Sequence, residues 1–308
     1  MEDRYLIYNY PNNDSPEFGF MHNLSNFKNL LLEAYYLKRI AILPNPSFDP
    51  KHNNNYIVSH CWEKYIDFDS IKIQCNKTLN SEPIKCICRH KFDLESVNLK
   101  ETHRVNNFEN ADDCSKKYLI RDISSDLSFW GVSELNLEKK YRVILNFSKD
   151  VIKMTNLVLE DFQDYIAIHV RRGDRMMLNP KIKKFTNPKY ISSCLLEKYP
   201  NNTKYYLMSD EKESGYFDFI KENFDVKTYK DFPFLKDIVQ GLKPDNFMLF
   251  SIEKLIYYNA KERIGTFIDS DSIDFSLSPY SMHEKYTSPQ EVIAKMLKSL
   301  TKKIIPRR

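Results

Sequence analysis

Arg171 and Arg172 stand side by side and are followed at once by Gly173, Asp174 and Arg175. Each guanidinium is a permanently charged planar fork of donors, so the pair suits an anion with paired oxygens, such as a phosphate or pyrophosphate. The preceding residues give that chemistry a place. Tyr165-Ile166-Ala167-Ile168-His169-Val170 is a nearly unbroken apolar, β-prone run without helical spacing, the pattern of a parallel strand covered on both faces. The basic residues therefore sit just past the carboxyl end of a buried strand, where ligands bind in open α/β sheets, and Gly173 permits a sharp turn there. Asp174 is placed to hold an arginine. His169 lies within the strand, a position where a histidine is more often a core residue than a catalyst.

The elements that must position this loop read as alternating strands and helices. Arg4–Tyr10 is a strand halted by Pro11; Phe27, Leu30, Leu31, Ala34, Tyr35 and Leu37 recur at helical spacing within Leu24–Arg39; Ile40–Leu43 is a second strand closed by Pro44. This is a βαβ unit. Cys75–Cys114 reads as loops and short strands, and Lys139–Phe162 as a long helix, or two in tandem, leading into a second domain. Beyond the arginine loop the spacing predicts a helix over Lys189–Tyr199, a strand over Lys204–Met208 running into Ser209-Asp210-Glu211, a helix over Tyr216–Asn223 and a strand over Val226–Tyr229. A helix over Phe247–Asn259, a strand over Arg263–Ile268 and a final amphipathic helix over Pro289–Ile305 come next. Regular alternation implies a second parallel α/β sheet. The expected division is 1–150 and 151–308.

The bulk properties narrow the class. A chain of 308 residues with 42% hydrophobic and 29% charged residues supports two globular domains, and its net charge of +4 does not favour a nucleic-acid partner. Only six glycines are present, so phosphate binding must rely on side chains and helix ends rather than glycine-rich loops. No apolar run reaches the length of a membrane span, and Met1–Asn13 lacks the apolar core of a secretory signal, so the expected location is cytoplasmic. Against that stands the crowding of Cys61, Cys75, Cys86, Cys88 and Cys114, which suits disulfides in a secretory-pathway lumen. Cys86-Ile-Cys88-Arg-His90 has the wrong spacing for a common zinc knuckle. Asp67-Phe-Asp69 and Asp269-Ser-Asp271 fit an Asp-x-Asp string that could hold a cation, but a basic pair on a phosphate makes the cation unnecessary. The expectation is no metal and no cofactor.

His169-Val-Arg-Arg-Gly-Asp174, closing an apolar strand, resembles the signature of the GDP-fucose-dependent fucosyltransferases, the superfamily of the protein O-fucosyltransferases and the α1,2- and α1,6-fucosyltransferases. Three further stretches share the likeness. The opening strand, its loop with Gly19 and Asn23, the long helix and Leu43-Pro44 match the family's start, with His22 where many members have Gly; Trp62–Asp69 resembles an aromatic segment. Arg263-Ile264-Gly265-Thr266-Phe267-Ile268-Asp269-Ser270 resembles the strand and hydroxyl-rich turn that receive the base and phosphate of GDP.

The resemblance implies a fold of two Rossmann-like domains facing each other across a cleft, the GT-B type: 1–150 on the acceptor side and 151–308 binding the GDP-sugar. It implies transfer of fucose from GDP-fucose to a hydroxyl of a glycan or protein acceptor. The second arginine of the motif, the one that grips the pyrophosphate, falls on Arg172, with Arg171 turned inward. Pro16-Glu17 with Gly19-Phe20 looks like the branch acting on thrombospondin-type repeats, which makes Glu17 the candidate base. Gly19, Asn23, His169, Arg171, Asp174, Thr266, Ser270 and Ser272 are the candidate substrate-binding residues. The alternative is a catalytically inactive GDP-sugar- or glycan-binding protein of the same fold.

Overall fold

The computed structural model describes residues 3–9, 20–46, 53, 61–93, 97–105, 115–122, 136–173, 176 and 181–265. They gather into two compact units: one holds the residues up to Lys153 together with Ile238–Ser251, the other Met154–Asp237 and the residues from Ile252 onward.

In chain order the first unit holds β1 (Tyr5–Asn9), α1 (Phe20–Tyr36), β2 (Ile40–Leu43), β3 (Ile66–Cys75), β4 (Ser81–Pro83), β5 (Cys86–Cys88), β6 (Thr102–Val105), β7 (Tyr118–Asp122) and β8 (Tyr141–Phe147). Five of these strands form a parallel sheet in the order β5-β2-β1-β7-β6, and β4-β3-β8 form an antiparallel one. The predicted βαβ unit is present, with Tyr5, Leu6 and Ile7 opposite Ile40, Ala41 and Ile42. Helix α1 begins at Phe20, four residues earlier than its spacing suggests, and buries Leu24, Phe27, Leu30, Leu31 and Ala34. Its end is shaped by Lys38, whose φ of 54° lets the Arg39 N–H reach back to the Ala34 carbonyl at 2.8 Å. A buried ion pair ties the helix to the sheet: Arg121 of β7 reaches Glu33 of α1, and losing either partner would strand a charge away from water.

The expectation of helix from Lys139 onward needs correction. Tyr141–Phe147 is a strand in which Val143, Leu145 and Phe147 are buried while Arg142 and Asn146 are exposed, a period of two. Its partner is β3, some seventy positions earlier, with Ile73 opposite Val143 and Ile66 opposite Phe147. Helix α2 (Lys149–Asp161) occupies only the second half of the predicted span. Ile238–Ser251 joins the first unit through Asp245, which accepts from the Tyr65 hydroxyl at 3.3 Å and pairs with Lys64 at 2.5 Å.

The second unit continues with β9 (Tyr165–Val170), α3 (Lys181–Phe185), α4 (Pro188–Lys198), β10 (Lys204–Ser209), α5 (Asp218–Asn223) and β11 (Asp225–Lys227). Helices α6 (Pro233–Gln240) and α7 (Asn246–Asn259) and strand β12 (Glu262–Gly265) complete the described chain. The sheet is parallel throughout, in the order β11-β10-β9-β12. All six residues of β9 are buried, as its apolar run requires, and Ile166, Ile168 and Val170 pack with Leu195, Tyr205, Leu207, Ile220 and Ile264. Helix α4 starts where Asn187 caps it, accepting from the Lys189 N–H at 2.9 Å ahead of Pro188 in the first turn. The helix expected over Pro289–Ile305 lies outside the described residues.

One buried acid in this unit makes stability depend on pH. Burial raises the Glu253 carboxyl to about 8, opposed by the Tyr206 hydroxyl that donates to it at 3.2 Å. The folded state then keeps a proton that the unfolded chain releases near pH 4.5, so this residue's contribution to stability is lost as pH rises from about 4.5 to about 8. Glu253→Gln should therefore match the wild type in urea unfolding at pH 4.5 and exceed it by about 2–4 kcal/mol at pH 8. An unchanged difference between the two pH values would refute the assignment.

Candidate functional site

Strands β9 and β10 run side by side with Met208 opposite His169 and Ser209 opposite Val170. The residues just past the two strands therefore meet at the carboxyl edge of the sheet: Arg171-Arg172 beside Asp210-Glu211. Ser209 locks the two ends, donating to the Val170 carbonyl at 2.7 Å and accepting from the Glu211 N–H at 3.1 Å. Asp210 then organises the loop. One of its oxygens accepts from the Arg172 backbone N–H and the other from the Arg171 guanidinium, each at 2.6 Å.

Arg172 is only 6% exposed and is held on several sides. Its Nε pairs with Glu211, and one Nη donates to Thr186 Oγ1 at 2.7 Å and to the Tyr216 hydroxyl. The guanidinium also lies 4.0 Å from the centre of the Tyr216 ring. Thr186 and Tyr216 are themselves oriented as acceptors, because their hydroxyls donate to the carbonyls of Ile182 and Thr186. Burial would raise the Glu211 carboxyl, but the Glu213 N–H and the Arg172 side chain outweigh it and hold it below the usual range. Arg172 thus commits three of its five N–H donors; the two on its other Nη make no hydrogen bond among the described residues. The two remaining N–H groups share one nitrogen and diverge, so each can reach a different oxygen, as on neighbouring phosphates of a pyrophosphate, rather than closing a parallel fork on one phosphate.

The inward position falls to Arg172 rather than to Arg171, whose side chain stays 26% exposed against Asp210. His169 is buried, its ring edge-on to Tyr257, and burial lowers it to about 3 with the Arg171 charge acting the same way. It is neutral at physiological pH. Protons bind the unfolded chain first, so its contribution to stability is lost as pH falls from about 6.5 to about 3.

Gly173 has a steric reason. A Cβ there would meet an oxygen of Asp210 inside van der Waals contact, and that oxygen is already held by Arg171. Gly173→Ala should cost about 1–3 kcal/mol in urea unfolding through overpacking. A stability unchanged within error would show that Asp210 can move and is not the loop's fixed point.

Asn23 lies on α1 in the first unit, 4% exposed, and lines a shallow pocket with Asn26, Phe27, Pro44, Asn45 and Trp62. Trp62 closes one side by donating to the Pro44 carbonyl at 3.0 Å. Trp62, Tyr65 and Ile66 are core residues. Asp67 lies at an irregularity in β3, where its carboxylate accepts from the Asp69 N–H at 3.2 Å. Strand β12 ends at Gly265, opposite His169, at the same edge of the sheet as the arginine loop. Glu17, Gly19, Asp174, Thr266, Ser270 and Ser272 lie outside the described residues, as do Asp269, Asp271 and Cys114. Cys61, Cys75, Cys86, Cys88 and Cys194 form no disulfide. Asp210, Glu211, Thr186 and Tyr216 escaped the sequence reading; the one signal for them was an acidic pair directly after a predicted strand, matching the basic pair after another.

No protein-family model matches the chain, and no curated protein does. Among solved structures the chain is similar to fucosyltransferases. POFUT1 in complex with GDP-fucose aligns over 85% of this chain and 91% of its own, at 11% identity and a TM-score of 0.48. NodZ alpha-1,6-fucosyltransferase co-crystallised with GDP aligns over 88% and 90%, at 12% identity and 0.42. The fucosyltransferase NodZ from Bradyrhizobium aligns over the same shares at 12% identity and 0.40. No helix among the described residues is long and apolar enough to cross a membrane.

Proposed function

We propose that the chain is a glycosyltransferase of GT-B architecture that moves fucose from GDP-fucose to a hydroxyl of a glycan or protein acceptor. In this reading 1–150 is the acceptor side and 151–308 binds the donor. The observation that carries it is the Arg172 guanidinium, immobilised at the carboxyl edge of a parallel sheet with one pair of donors uncommitted. As the bond between sugar and β-phosphate breaks, positive charge grows on the ring and negative charge on the phosphate. Arg172 stabilises that leaving oxygen, Arg171 adds a second positive charge, and Asp174 steadies the pair. The acceptor oxygen attacks the anomeric carbon, its proton passes to Glu17, and GDP departs with the bonding electrons. Gly19, Asn23, His169, Thr266, Ser270 and Ser272 complete the donor and acceptor contacts. The guanidinium groups supply the charge that a cation supplies in metal-dependent transferases, so added magnesium or manganese is not required.

A thermal-shift series tests the donor. GDP and GDP-fucose should raise the melting temperature and UDP should not, with about 2.7 kcal/mol of stabilisation at 100 times the dissociation constant. Equal shifts from GDP and UDP would remove the guanine assignment. GDP binding with no release of fucose would convert the reading to an inactive sugar-nucleotide binder.

A further inference from the structure

The first unit carries a cluster of soft and borderline metal ligands that the transfer reaction does not use. Cys61 sits immediately before the short helical turn Trp62–Lys64, and Cys88 ends β5, the edge strand of the parallel sheet. His90 lies in the next turn, Arg89–Lys91. The Cys61 thiol, a Glu63 carboxylate oxygen and a His90 ring nitrogen all lie within 4.8 Å of one another, and His90 Nε2 is 3.7 Å from Glu63. Glu63 also interacts with the thiols of Cys61 and Cys88, so Cys88 lies beside the cluster. Zinc bond lengths of about 2.0–2.3 Å in a tetrahedron place neighbouring donor atoms roughly 3.3–3.8 Å apart, so Cys61, Glu63 and His90 need to close by about 1.5 Å at most, and Cys88, at the adjoining strand end, swings in as the fourth donor.

We propose that Cys61, Glu63, Cys88 and His90 bind a zinc-type divalent cation that staples the three-residue edge strand β5 to the turn leading into β3. Two thiolates, an imidazole and a carboxylate are a donor set for such a borderline-soft ion rather than for magnesium or calcium. On binding, the two thiol protons leave to solvent. Lys91, which is 59% exposed and pairs with Glu63, yields its place on the carboxylate and stays nearby to balance the single net negative charge of the filled site. The site is structural and independent of the transfer assignment, since none of its ligands belongs to the arginine loop or its partners.

Cobalt(II) titration of the metal-free full chain tests it. One equivalent should bind with thiolate-to-cobalt charge-transfer absorption and tetrahedral d–d bands, and zinc should displace it. Cys61→Ser should lower the charge-transfer band by about half or more, and His90→Gln should weaken cobalt binding about tenfold or more. Cys194→Ser, in the other unit, should change neither. Absence of the charge-transfer band in the wild type, or an undiminished band in Cys61→Ser, overturns the site. Should Cys61→Ser fail to fold by circular dichroism, His90→Gln decides alone: it changes a partly exposed side chain, and undiminished cobalt affinity in it overturns the proposal.

Discussion

Arg172→Lys should lower fucosyl transfer about a hundredfold or more, the loss seen when one preorganised donor to a developing oxyanion is removed. Lysine keeps a positive charge but loses the planar fork. The Nε bond to Glu211, the Nη bonds to Thr186 and Tyr216, and the contact with the Tyr216 ring all disappear together, so an ammonium would have neither the anchoring nor the paired donors. Glu211, whose side chain is 12% exposed, would also lose its partner, and the variant should be less stable as well as slower. Rates are therefore to be compared where both proteins are fully folded, and the loss should fall mainly on kcat, because charge on the leaving phosphate grows in the transition state. Arg171→Lys provides the contrast. Its side chain is a quarter exposed and rests on the Asp210 carboxylate, so a drop of about tenfold or less is expected. A lysine at 172 that turns over at the wild-type rate would exclude leaving-group stabilisation by this residue.

Glu17→Gln should cut transfer at least as deeply as general-base catalysis normally contributes, about a hundredfold, while GDP affinity stays within about twofold. Glutamine preserves size and polarity and removes only the capacity to take a proton. A group that acts in the chemical step alone leaves nucleotide binding untouched, which separates it from Arg172, which in the proposed mechanism contacts the anion before and during reaction. Single-turnover transfer alongside GDP titration reads both quantities from one preparation. Normal transfer by Glu17→Gln removes Glu17 from the mechanism and assigns the proton to another carboxylate or to the acceptor.

The division between what the residues specified locally and what long-range packing added is physical. Strand β9 was legible because six consecutive buried positions leave no room for polar alternation, and β1-α1-β2 because helical and strand periods alternate cleanly between Tyr5 and Leu43. The arginine pair was legible too, since a charge burst after such a strand has one geometric meaning. Strand β8 was not, because its partner β3 lies far away in the chain and the apolar Ile144 on its other face blurs the period of two. Nor could local pattern show that Ile238–Ser251 packs with the first unit, which depends on Asp245 meeting Lys64 and Tyr65. The site divides the same way. That two guanidiniums come after a buried strand is written in the local order of residues. That β10 lies beside β9, so that Asp210 and Glu211 hold those guanidiniums and Arg172 becomes the anchored one, is a product of the folded sheet. Strand adjacency is a long-range choice, and it sets which charges face each other.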